Sequence, residues 1–74
     1  MSVIVYTSKT CGPCASIKRY LDHKQIDYSA RDIEHHKWAD QVQKLTGQLI
    51  VPVTVIDGTP VTGLNYSRIA ELLK

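Results

Sequence analysis

A chain of 74 residues suffices for one domain, assigned to residues 1–74, because so short a chain buries little over half of its unfolded surface and cannot support a second core. Apolar residues at 43% and charged residues at 22% lie close to the globular average and exclude a disordered tail protein. A net charge of +2, from nine Lys plus Arg against seven Asp plus Glu, is too small and too dispersed for a nucleic-acid partner.

The first apolar run, Val3 to Tyr6, is far shorter than the apolar core of a signal peptide, and no stretch approaches the roughly 20 apolar residues of a membrane span. The expectation is a soluble, cytoplasmic protein with no membrane partner. Val3-Ile4-Val5-Tyr6-Thr7 is a continuous β-branched and aromatic run without alternation, which predicts a central strand covered on both faces. From about Pro13 to Lys24, Ile17, Tyr20 and Leu21 fall at i, i+3 and i+4, the pattern of an amphipathic helix. Pro13 suits its first helical position, where the missing N–H costs nothing. Asp27 to Ile33 predicts a second strand, parallel to the first.

A second helix is expected from Glu34 to Leu45, with Trp38, Val42 and Leu45 inward and Thr46-Gly47 as its stop. Val51 to Ile56 reads as a strand, Asp57-Gly58 as a hairpin turn and Thr59 to Thr62 as the antiparallel return. Asn65 is placed as the N-cap of a last helix carrying Ile69, Leu72 and Leu73. The fold class is therefore α/β, in the order βαβαββα, with a four-stranded mixed sheet and three helices. Pro60 suits an edge strand, whereas Pro52 sits at the mouth of an interior one, and a cis Val51-Pro52 bond would account for it. Tyr6 and Tyr20 are expected to pack between the sheet and the first helix, and Tyr66 to act as a surface anchor near the last turn.

The only two cysteines, Cys11 and Cys14, stand three positions apart, a spacing that chance gives roughly one time in forty. A structural disulfide here would constrain little of the unfolded chain and would not persist in a reducing cytosol. At the mouth of the first helix, Cys11 meets the unpaired N–H groups and positive end of the macrodipole, which move a thiol from about 8.5 towards roughly 7 or below. Lys9 is positioned to add a positive charge. Cys14, one turn further in and more enclosed, reads as the thiol that resolves a mixed disulfide formed at Cys11. No residue stands out as the base that deprotonates it. Between them, Gly12-Pro13 withholds one N–H from the Cys11 thiolate, which favours a reducing pair.

The segments "VYTSKTCGPC", "LTGQLIVPVTVIDG" and "VTGLNYSRIAELL" together resemble a small glutaredoxin-like member of the thioredoxin superfamily. The resemblance spans nearly the whole chain and implies a thioredoxin fold with sheet order 2-1-3-4 and a cis-proline, Pro52, beside the cysteine pair. It implies Cys11 as nucleophile, Cys14 as resolving thiol, Val51 as a backbone partner for a bound peptide or glutathione, and Gly63, Leu64 and Asn65 as the turn that receives the γ-glutamyl end of glutathione. Glutaredoxins usually carry Pro-Tyr between the cysteines and an aspartate where this chain has Asn65, whereas thioredoxins have a tryptophan where it has Thr10. A sister group of redoxins, recharged by thioredoxin reductase and feeding ribonucleotide reductase, shares this size and mixed character.

The resulting expectation is a monomeric dithiol–disulfide oxidoreductase that carries electrons to protein disulfides. It takes them from thioredoxin reductase in preference to glutathione, a possible co-substrate, and holds no bound cofactor. The competing readings are an iron–sulfur or zinc protein, the latter with His23, His35 or His36 completing a Cys-x-x-Cys site, and a non-catalytic binding module. Consecutive histidines point about 100° apart on a helix, so His35 and His36 cannot both face one ion.

Overall fold

The computed structural model describes residues 2–73. Along the chain run β1 (Val3–Thr7), α1 (Gly12–His23), β2 (Ser29–Asp32), α2 (His36–Thr46), β3 (Val53–Ile56), β4 (Thr59–Thr62) and α3 (Tyr66–Leu72). The four strands form one sheet in the order β2-β1-β3-β4. β1 pairs parallel with β2 and antiparallel with β3, and β3 pairs antiparallel with β4.

Both faces of β1 and β3 are covered, which explains why their sequences do not alternate. Val3, Val5, Ile56 and Val61 face α1 and α3 and form one cluster with Ile17, Leu21 and Ile69. On the opposite face, Tyr6, Val53 and Val55 pack with Val42 of α2, flanked by Ile4, Ile33 and Trp38. Ile17, Leu21 and Ile69 are wholly buried, and each such side chain stabilises the fold by about 1.5–3 kcal/mol relative to exposure.

Several boundaries differ from expectation. β2 covers only Ser29–Asp32 instead of Asp27 to Ile33, because Tyr28 and Ile33 turn into the cores at either end; the Ile33 N–H still donates to the Thr7 carbonyl at 2.9 Å. α1 begins at Gly12, so Pro13 takes the second helical position, whose N–H would also lack a helical acceptor. α2 starts at His36 rather than Glu34, with His35 as its N-cap accepting the Lys37 N–H at 3.3 Å. β3 starts at Val53, two residues later than expected, because the cis Val51-Pro52 bond precedes it and proline has no N–H to pair. Leu45 is 39% exposed instead of inward, which leaves Val42 as the only buried residue of α2.

Tyr6 also departs from its expected place. Period-two alternation sends it to the α2 face, opposite Val5, where its hydroxyl donates to Gln41 Oε1 at 2.7 Å. Arg31 Nη1 reaches the same Gln41 oxygen at 2.9 Å, and its guanidinium lies 4.4 Å from the Trp38 ring centre. This polar cluster links β1, β2 and α2. At the hairpin, Asp57 and Gly58 both hold positive φ, 48° and 87°, the backbone of the tight turn expected there. Pro60 lies on β4, an edge strand, as anticipated.

Candidate active site

The cysteine pair sits where β1 hands the chain to α1. After Thr7 a short turn closes through the Cys11 N–H, which donates to the Ser8 carbonyl at 3.2 Å. Cys11 then takes an extended backbone (φ −93°, ψ 106°) and serves as the N-cap of α1. Its Sγ accepts the Cys14 N–H at 3.2 Å, so a sulfur occupies the place that an oxygen usually takes at a helix start. The two cysteines are joined as a disulfide, with Cα atoms 5.3 Å apart. Exposure divides them: Cys11 is half-buried, whereas Cys14 is only 1% exposed. Cys11 is therefore the more accessible of the two sulfur-bearing residues.

Strand register gathers the other expected residues. Tyr6, Val53 and Thr62 lie side by side across β1, β3 and β4, so Thr7, Pro52 and Gly63 are next in line at the same sheet end. The turn carrying Cys11 leaves from that end. The Val51-Pro52 bond is cis, Pro52 is buried, and Val51 lies outside the β3 ladder, beyond the end of that strand. The Gly63 N–H donates to the Pro52 carbonyl at 2.9 Å, and Gly63 holds a φ of 69°. Leu64 is 46% exposed. Asn65 caps α3 by accepting the Arg68 N–H at 3.2 Å, as expected, which commits its side-chain oxygen to the helix. Tyr66 meets the Tyr20 ring edge-on at 4.8 Å, an anchor between α1 and α3. Gly12 and Pro13 are exposed on the outer side of the motif.

Lys9 does not project freely towards Cys11. Its Nζ lies 3.3 Å from Glu34 Oε2, with both side chains largely in solvent. Glu34 was not among the expected site residues, since no spacing connects it to the cysteines; the parallel pairing of Thr7 with Asp32 brings it there. Among the described residues, no group of three or more His, Cys, Asp and Glu side chains converges as a metal site would require. His35 Nδ1 is occupied by its capping bond.

A thioredoxin fold with its redox-active cysteine pair at the start of the first helix and a cis-proline at the same sheet end defines a thiol redox protein. The glutaredoxin family model matches residues 3–61, and the chain belongs to the glutaredoxin family. It is 32% identical, over 95% of each chain, to a glutaredoxin-like 8.6 kDa protein of the rubredoxin operon of Clostridium pasteurianum. Among solved structures it is similar to the thioredoxin-like protein BC3987, at 26% identity and a TM-score of 0.89 over 96% of this chain and 99% of the other. The glutaredoxin-like NrdH-redoxin from Escherichia coli, described by its thioredoxin-like activity profile, shares the fold with a TM-score of 0.82 at 21% identity over 97% and 95% of the two chains. Among the described residues no helix is long and apolar enough to cross a membrane.

Proposed function

We propose that the protein is a cytoplasmic, monomeric dithiol–disulfide oxidoreductase, a small electron carrier that reduces protein disulfides through Cys11 and Cys14. The observation that carries this reading is the asymmetry of the pair: a half-buried Cys11 capping a helix, and a buried Cys14 donating its N–H to the Cys11 sulfur. In the reduced protein the Cys11 thiolate attacks a substrate disulfide, forming a Cys11–substrate bond while one substrate thiolate leaves. The Cys14 thiol then loses its proton to solvent, and its thiolate attacks Cys11 Sγ. The Cys11–Cys14 bond forms, the Cys11–substrate bond breaks, and the second substrate sulfur departs with the electron pair and takes up a proton. Two electrons pass from the protein to the substrate.

In this reading Val51, Pro52, Gly63 and Leu64 form the edge along which an extended substrate backbone lies. Gly12-Pro13 keeps the pair reducing, with a potential nearer the roughly −270 mV of thioredoxin than the −120 mV of strongly oxidising relatives. Reduction by thioredoxin reductase is favoured over glutathione because position 65 offers no carboxylate to an α-amino group, and the Asn65 oxygen is already used in capping α3. Ribonucleotide reductase is a candidate client. The test is reduction of insulin or a small disulfide by wild type and Cys11→Ser, with NADPH plus thioredoxin reductase or with glutathione as donor. Turnover by wild type alone, faster with the reductase, is expected; equal rates for the two proteins would exclude the enzymatic reading. A redox titration above about −180 mV would overturn the reducing assignment.

A further inference from the structure

Thr54 is a polar residue in the middle of an apolar layer. It is wholly buried, and its hydroxyl finds no hydrogen-bond partner among the described residues. Its cross-strand neighbours are Val5 and Val61, both members of the cluster beneath α1 and α3, so Thr54 stands on that same face between them. An unpaired buried hydroxyl costs about 1–3 kcal/mol, and valine has nearly the same shape without that cost. Position 54 therefore carries a hydroxyl with no protein partner among the described residues of the oxidised fold.

The helix that covers this layer, α1, also carries Cys14. Ile17 packs into this cluster, and Cys14 lies three residues before it on the same face of α1, one turn nearer the active end of the sheet, with 1% exposure. In the oxidised protein the Cys14 sulfur is tied to Cys11 and is a poor acceptor. On reduction it becomes a buried thiol that must ionise, and burial opposes that ionisation.

We propose that Thr54 is a positioning residue for the resolving step: its hydroxyl donates a hydrogen bond, directly or through one buried water, to the Cys14 thiolate and so favours loss of the Cys14 proton. The proton goes to solvent, not to Thr54, and the Cys14 thiolate then attacks Cys11 Sγ of the mixed disulfide, so that the Cys11–Cys14 bond forms as the Cys11–substrate bond breaks and the substrate sulfur leaves with the electron pair. This inference rests on the proposed redox function, but its readout does not require a substrate.

The experiment follows the thiolate absorbance of Cys14 with pH in a Cys11→Ser background carrying Thr54, Thr54→Val or Thr54→Ser. Expected is a roughly tenfold loss of Cys14 acidity in Thr54→Val, with Thr54→Ser close to the Thr54 protein. Unchanged acidity in Thr54→Val, or an equal loss in Thr54→Ser, overturns the proposal and leaves Thr54 as a core residue only. Thermal unfolding of the same set confirms that each variant is folded. In the otherwise wild-type protein, accumulation of the mixed disulfide with Thr54→Val supports the proposal. Should insulin reduction fail in wild type while the titration still shifts, the redox reading falls and the Thr54–Cys14 coupling stands.

Discussion

The Gly63 N–H and the Pro52 carbonyl are joined at 2.9 Å, and this one bond ties the loop ahead of β3 to the turn that follows β4. Both segments leave the sheet at the end where Cys11 caps α1, so the bond frames the sheet end beside the disulfide.

That frame depends on the Gly63 backbone. No atom lies within 4 Å of the position a Cβ would take, so Gly63→Ala meets no steric obstacle, but the φ of 69° disfavours any side chain. Gly63→Ala is expected to destabilise the protein by about 1–2 kcal/mol and to raise the KM for a disulfide substrate with little change in the potential of the pair. Chemical denaturation together with steady-state reduction assays tests both parts.

The Lys9–Glu34 pair should contribute little to stability, since both side chains are largely exposed. Glu34→Gln is expected to change stability by less than about 1 kcal/mol. It also frees the Lys9 charge for Cys11, so alkylation of Cys11 at neutral pH should be modestly faster in low salt than in high salt. Lys9→Gln should slow alkylation less in wild type than in the Glu34→Gln background, because Glu34 already neutralises the lysine.

Tyr28 has a phenol pKa raised above its ordinary value of 10.0, first by burial and second by the neighbouring Asp22 carboxylate. A raised folded-state pKa means that the neutral phenol is favoured in the fold, so its contribution is complete below about 10 and is lost as pH climbs through the folded value. Unfolding temperatures should therefore fall more steeply above pH 10 in wild type than in Tyr28→Phe, while Asp22→Asn removes a smaller share of the difference.

Gln25 holds a positive φ of 59° just beyond α1, where the Ile26 N–H returns to the Leu21 carbonyl at 2.9 Å. This is the position a glycine usually takes after a helix. Gln25→Gly is expected to stabilise the protein by about 0.5–1 kcal/mol without altering the redox pair, which thermal melts and a redox titration check together.

Much of this arrangement was legible in the residues. The unbroken Val3 to Thr7 run marked the central strand, and Pro13 after Cys11 marked the helix mouth, because local sterics and capping act over a few residues. Pro52 announced an irregular strand entry through its missing N–H. What escaped were matters of three-dimensional register. Tyr6 went to the α2 face, because a doubly covered strand offers no alternation from which to read its orientation. The Lys9–Glu34 pair depends on the Thr7–Asp32 pairing, and Leu45 was left outside by a helix that buries a narrower stripe than its apolar spacing implies.

The placement of β1 between β2 and β3 also orders events during folding. The capped start of α1 is assembled from neighbours in the chain, while the Pro52 and Gly63 frame waits for β3, far along the chain, to pair with β1. Contacts between distant segments must first overcome loop-closure entropy and so form late. If the proposed redox function holds, a chain caught between these stages would carry both cysteines before the segments proposed to receive its substrates are in place.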